Sequence, residues 1–147
     1  MKKYEFHPEI KGVDKAFYAY GKTYGELFEN ACLAMTNAML DLETVEPKIK
    51  ERLTVKAPYV EELLANVLAE IVFLKDTKQL VFNFFDVRDF KNKPNGCEVT
   101  LVMKGEKMDH KKHHIRWEVK EVSYLNYGIQ KTKEGYQAAM AVDLSIH

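Results

Sequence analysis

Two hydrophobic spacings divide this chain. In its first half, Tyr24, Leu27, Phe28, Ala31, Met35, Met39 and Leu42 recur every three or four residues, and so do Val60, Leu63, Leu64, Val67, Leu68, Ile71 and Val72. Each set reads as the buried stripe of an amphipathic helix. Thr23 followed by Glu26 reads as a capping box, in which each side chain takes up a free backbone N–H at the start of the first helix. Pro47 helps to end that element, and Pro58 fits the first turn of the second helix, where its missing N–H costs nothing. Residues 3–7, 15–20 and 49–56 read as strands, the first two separated by Pro8 and Gly12.

From residue 80 onward the period becomes two. Residues 80–90, 97–104, 118–131 and 136–146 read as four further strands, with turns at Pro94-Asn95-Gly96 and Lys133-Glu134-Gly135. The last strand alternates most cleanly. Tyr136, Ala138, Met140, Val142, Leu144 and Ile146 point one way; Gln137, Ala139, Ala141, Asp143 and Ser145 point the other. This order predicts an α+β fold, a two-layer sandwich in which two helices cover one face of a mostly antiparallel β-sheet. With no repeat, linker or low-complexity tract, residues 1–147 are expected to form a single domain.

Composition mainly removes alternatives. Lys plus Arg and Asp plus Glu both number 22, so no global field draws in DNA or RNA, although a local patch can still touch nucleic acid. Cys32 and Cys97 stand in apolar segments without metal-ligand spacing and read as buried thiols of a reducing compartment. No apolar run approaches the ~20 residues that cross a bilayer, and no signal-peptide pattern opens the chain. The expectation is a cytoplasmic protein.

Gly21-Lys22-Thr23, between a strand and a helix, imitates the end of a phosphate-binding P-loop. That motif needs a further Gly where this chain has Ala16, so a turn and a helix cap are the better account. Residues 104–120 are the polar centre, with Lys104, Lys107, Lys111, Lys112, Arg116 and Lys120 interleaved with His110, His113 and His114. Composition favours a solvated loop there over an anion- or partner-binding one. Zinc is disfavoured because the lysines repel a cation. Lys120 differs, since it falls inside a strand, where its partner is expected to be a carboxylate. Asp14 precedes one strand and Asp143 lies in the last. If those strands are neighbours, two carboxylates converge on a site for a hard divalent cation, and small Ala139 and Ala141 leave room beside Asp143.

Taken together, these residues resemble the archease family over nearly the whole chain. The resemblance rests on Asp14 with Ala19-Tyr20-Gly21-Lys22-Thr23, Phe28-Glu29-Asn30-Ala31, Met39-Leu40-Asp41 and Val45-Glu46-Pro47. It continues through Gly105-Glu106-Lys107, Lys111-Lys112-His113, Glu118-Val119-Lys120 with Tyr124, and Val142-Asp143-Leu144. The resemblance implies a protein cofactor, not an enzyme. Its partner would be the GTP-dependent tRNA-splicing ligase, which joins 2′,3′-cyclic phosphate or 3′-phosphate RNA ends to a 5′-hydroxyl. It implies promotion of ligase guanylylation and multiple turnover, with any RNA contact indirect and neither membrane nor DNA involved.

It also implies a divalent metal, calcium first and magnesium or manganese as alternatives, held by Asp14 and Asp143. Lys120, Glu106 and His113 are then the positions expected to serve partner activation. The chain departs from the family pattern at Lys11-Gly12-Val13, where His-Thr-Ala is usual, and at Leu125, where a histidine usually follows the tyrosine. Two other readings compete: a small metal-dependent phosphoesterase using Lys120 and His113 near the cation, and a general chaperone-like interaction module.

Overall fold

A computed structural model describes residues 2–7 and 14–145, except the side chain of Tyr127. The chain runs through β1 (Tyr4–His7), β2 (Lys15–Gly21), α1 (Tyr24–Met39), β3 (Ile49–Ala57) and α2 (Val60–Lys78). It continues with β4 (Leu80–Lys93), β5 (Gly96–Lys107), β6 (Val119–Thr132) and β7 (Gly135–Leu144). The fold is α+β with antiparallel pairing throughout, as the pattern predicts. The strands divide into two sheets, ordered β1-β2-β7-β6 and β3-β5-β4. Pro8, Gly12 and the Lys11-Gly12-Val13 departure lie outside the described residues, as does Ile146.

Burial explains why two helices suffice for two sheets. α1 packs on β2 and β4, and α2 on β6, β3 and β4, so each helix bridges both sheets. Phe17 from β2, Phe28 from α1 and Phe82 from β4 are fully buried in one cluster with Leu63, Leu64 and Leu68 from α2. Each such side chain contributes about 2 kcal/mol by leaving water. α1 also supplies hydrogen bonds to strands of both sheets. Asn30 Nδ2 donates to the Tyr20 carbonyl at 2.7 Å, and Glu29 Oε2 accepts the Val87 N–H at 2.8 Å.

Local chemistry sets the element ends. Thr23 Oγ1 accepts the Glu26 N–H at 3.1 Å, while Glu26 Oε1 accepts from Lys22, one residue before the cap, at 3.3 Å. Thr23→Ala is expected to cost about 1 kcal/mol, read as a lower midpoint in urea unfolding with an unchanged slope. Gly21 is fixed by close approach: a Cβ there would sit 2.2 Å from the Leu27 backbone nitrogen. This glycine lets the strand end press on the helix start. The first helix stops earlier than the apolar spacing suggests. Leu40 is extended, and Leu42 opens a short 3-10 helix capped by Asp41, whose Oδ1 accepts the Glu43 N–H at 3.1 Å. Pro58 lies just outside α2, with Tyr59 at the cap position.

Candidate functional site: an acidic row at the end of the last strand

The alternation of β7 holds Ala138, Met140 and Val142 in the core at 0% exposure, which fixes the face that Asp143 must take. β2 pairs with β7 from Gly21↔Tyr136 to Lys15↔Val142. Continued one step past that last pair, the register would set Asp14, which precedes β2, opposite Asp143. The backbone confirms the closeness of the two ends, since the Leu144 N–H donates to Asp14 Oδ2 at 2.8 Å. The neighbourhood expected for the two carboxylate-bearing strands is therefore present. Asp14 is exposed and Asp143 half-buried.

On the other side of β7, Glu121 of β6 pairs with Asp143. Two carboxylates, Asp143 and Glu121, thus occupy paired positions on adjacent strands, and Asp14 lies just ahead of β2 on the other side of β7. The register slips between Val119 and Glu121, leaving Lys120 as the extra residue of a β-bulge beside Leu144 and Asp143. Ser145 N–H to the Glu118 carbonyl, 2.9 Å, continues the pairing past the bulge. Lys120 is exposed. Among the described residues it makes no ion pair, so its expected carboxylate partner is not found: the bulge takes it out of the ladder positions that face acids. The neighbouring Lys15 is held elsewhere, its Nζ 4.9 Å from the centre of the Trp117 ring.

Like charges directly opposite one another destabilise a sheet, and a cation would offset that repulsion. The row's donors are oxygens, which suit hard cations. Among the described residues no three His, Cys, Asp or Glu side chains converge into one metal-binding group. Asp14 and Asp143 would supply a divalent ion with at most two carboxylate ligands, and water or a partner's atoms would have to complete its shell. The room expected beside Asp143 is reduced. Ala141 is 3% exposed because β7 is central and the flanking strands wall it in, and only Ala139 is half-buried.

Glu106 and His113 are brought together, but in a different role from that of the acidic row. Glu106 is the last residue but one of β5 and is 7% exposed; His113 lies in the β5–β6 connection and is 1% exposed. Glu106 Oε2 accepts from the Glu46 N–H at 2.7 Å, from Lys112 Nζ at 2.8 Å and from His113 Nε2 at 3.1 Å. His113 Nδ1 accepts the Asp109 N–H at 3.0 Å, which assigns the ring proton to Nε2. Burial pushes the Glu106 carboxyl up, but these donors outweigh it and hold it down at about 2. This part of residues 104–120 is a pinned knot and not the solvated loop that composition favours. No hydrogen bond or ion pair links it to the acidic row among the described residues.

The same connection reaches the row's neighbourhood through its far end. Arg116 donates its N–H to the Met39 carbonyl at 2.7 Å, and Glu118 bonds the buried Lys75 of α2 at 3.2 Å. An unbroken period of two through β6 does not single out Glu121 as a site residue. The signal was available in Val119, Val122 and Tyr124, whose spacing of three and then two marks a bulge. Leu125 falls in a second register slip of β6, between Tyr124 and Ile129, where Asn126 and Gly128 take positive φ of 52° and 75°.

Two helices clasping two antiparallel sheets, with carboxylates gathered at one strand end, define a small α+β protein with a charged tip. The Archease protein family matches residues 4–144. Protein archease of Methanosarcina barkeri is 34% identical over 143 residues, covering 97% of each chain. That of Pyrococcus abyssi is 30% identical over 142 residues, covering 97% of this chain and 98% of its own. The solved structure of protein 1598 from Methanobacterium thermoautotrophicum matches with a TM-score of 0.79 at 30% identity, over 98% of this chain and 100% of that one. An archease from Thermotoga maritima, a possible chaperone, matches with a TM-score of 0.52 at 17% identity over 97% of each chain, a likeness of fold. This chain belongs to the archease family. No helix among the described residues is long and apolar enough to cross a membrane.

Proposed function

We propose that this protein activates the GTP-dependent tRNA-splicing ligase, promoting its guanylylation and multiple turnover in the cytoplasm. Family membership supports the partner. The observation that carries the site is the pairing of β2 with β7 up to Lys15↔Val142, with Asp14 Oδ2 on the Leu144 N–H and exposed Lys120 on the adjoining bulge. Asp14 and Asp143 would hold a divalent cation, calcium in the first instance and otherwise magnesium or manganese. When bound, that ion supplies positive charge between the carboxylates. Lys120 adds a second, flexible charge beside them, suited to phosphate oxygens. A helper shifts its partner's equilibrium only through differential affinity. The tip therefore has to fit one state of the ligase's nucleotide site better than the others. Glu106 and His113 support activation indirectly, by fixing the connection that leads into β6.

The test is ligation of RNA bearing a 2′,3′-cyclic phosphate to RNA bearing a 5′-hydroxyl, with the ligase of the same source limiting. More than one product per ligase is expected only when this protein is added. Asp14→Asn keeps an acceptor for the Leu144 N–H but removes the charge, and is expected to lose the stimulation. Unchanged ligation with and without the protein overturns the reading. Turnover of phosphoesters by the isolated protein would replace it with an enzyme, and equal stimulation of unrelated enzymes with a general chaperone.

A further inference from the structure

Sheet edges expose unpaired backbone groups that recruit other strands unless something blunts them. Among the described residues four strands are edges: β1, β6, β4 and β3. β1 has 4 described residues. β4 shifts register between Phe82 and Phe84 and again between Val87 and Asp89, and β6 shifts twice as well. β3 is different. It holds one register against β5 through all 9 residues, from Ile49↔Gly105 to Ala57↔Cys97. Among the described residues its backbone bonds to β5 alone, so the outward-pointing N–H and C=O groups of its free edge are unspent.

The side chains of β3 decide which strand that edge admits. Lys50, Arg52, Thr54 and Lys56 share one face by the two-residue period and are all exposed. Lys56 reaches Glu98 at 3.4 Å; Lys50 and Arg52 make no ion pair among the described residues. A second copy of β3 is the wrong occupant. Antiparallel pairing of this face with itself sets cations against cations or against Thr54, never against a carboxylate, and that is destabilising. The other face carries exposed Ile49 and Glu51 at its start and half-buried Leu53 and Val55 further along. Together with the adjoining Thr54 and Lys56, and with Asn66, Ala69 and Glu70 of α2, Leu53 and Val55 line a groove of about 470 Å³ along this edge.

The geometry points to β3 as a docking edge for an extended acidic segment of a partner protein, added as a fourth strand to β3-β5-β4. Carboxylates at alternate positions of that segment face Lys50, Arg52 and Lys56. Small apolar side chains between them lie over the groove beside α2. The main chain supplies affinity and the alternation supplies selectivity. This surface is separate from the acidic row, and its test needs no ligase.

The probe is a synthetic nine-residue peptide alternating Glu and Val, blocked at both ends and followed by fluorescence anisotropy. Controls are a peptide of the same composition in scrambled order and one with Lys in place of Glu. Binding is expected for the alternating acidic peptide alone, with hydrogen-exchange protection gained at the outward-pointing, alternate amides of Ile49–Ala57. The double variant K50E/R52E is expected to weaken binding about tenfold, as lost cross-strand charge pairs imply, and to begin binding the Lys peptide. Equal binding of the scrambled peptide, protection elsewhere than β3, no binding of the alternating peptide, or self-association of the protein through β3 would each overturn the inference.

Discussion

Asp143→Asn is expected to abolish multiple turnover in the ligation assay while leaving the fold intact. The substitution keeps the size of the side chain and removes one charge from the row formed by Asp14, Asp143 and Glu121. On the proposed reading Asp143 is one of only two carboxylate ligands. Loss of groups that merely orient metal ligands costs 10–100-fold in affinity. Loss of a direct ligand from so small a set is therefore expected to weaken calcium binding by about two orders of magnitude or more. Two measurements separate the steps. Isothermal titration with calcium, magnesium and manganese reads the metal, and products per ligase read the activation. Relief of like-charge repulsion makes the variant at least as stable as the parent without metal. Parent-like turnover by Asp143→Asn removes the carboxylate pair from the mechanism. Turnover lost while metal affinity stays unchanged makes Asp143 a direct contact to the ligase.

How far this site could be read from the sequence depends on the range of the interactions that build it. β7 was legible because its alternation is set by a core face, and Ala138, Met140 and Val142 are buried as the period demands. The Thr23 cap and the turn glycines were legible because each acts within a few residues; Gly96 and Gly135 adopt φ of 141° and 148°. The division into two sheets was not, because pairing of β3 with β5 joins segments about fifty residues apart and no local pattern states it. Neither was the burial of His113. A polar loop reads as solvated unless its partners are known, and the Glu46–Glu106 bond spans 60 residues. The resemblance placed Glu106 and His113 among the functional residues; the geometry explains their chemistry as mutual satisfaction of buried polar groups.

Glu106→Ala is expected to lower stability by about 3 kcal/mol, because removing one member of a buried charge network leaves its partners unpaired. The Glu46 N–H and His113 Nε2 lose an acceptor, although His113 retains the Thr44 carbonyl at 3.2 Å. Lys112, partly exposed, recovers some solvation and keeps Glu46, which holds the loss near the lower end of the range for such networks. For a chain of this length the melting midpoint should fall by roughly 6–12 °C.

The pH dependence has a definite sign. The Glu106 carboxyl titrates at about 2 when folded, against 4.5 for the unperturbed group. Its ionised form therefore stabilises the fold fully above pH 4.5, and that contribution drains away as the pH falls from 4.5 towards 2. Urea unfolding of the parent and of Glu106→Gln should accordingly differ most at neutral pH and converge in acid. Glu106→Gln keeps the shape and one acceptor oxygen, so its deficit at neutral pH reads the charge itself. A deficit that is constant from pH 7 to pH 3 would mean that packing, not ionisation, accounts for the knot. Its effect on ligation should be smaller than that of Asp143→Asn and recover on cooling. The knot acts on the site only through the population of folded connection leading into β6.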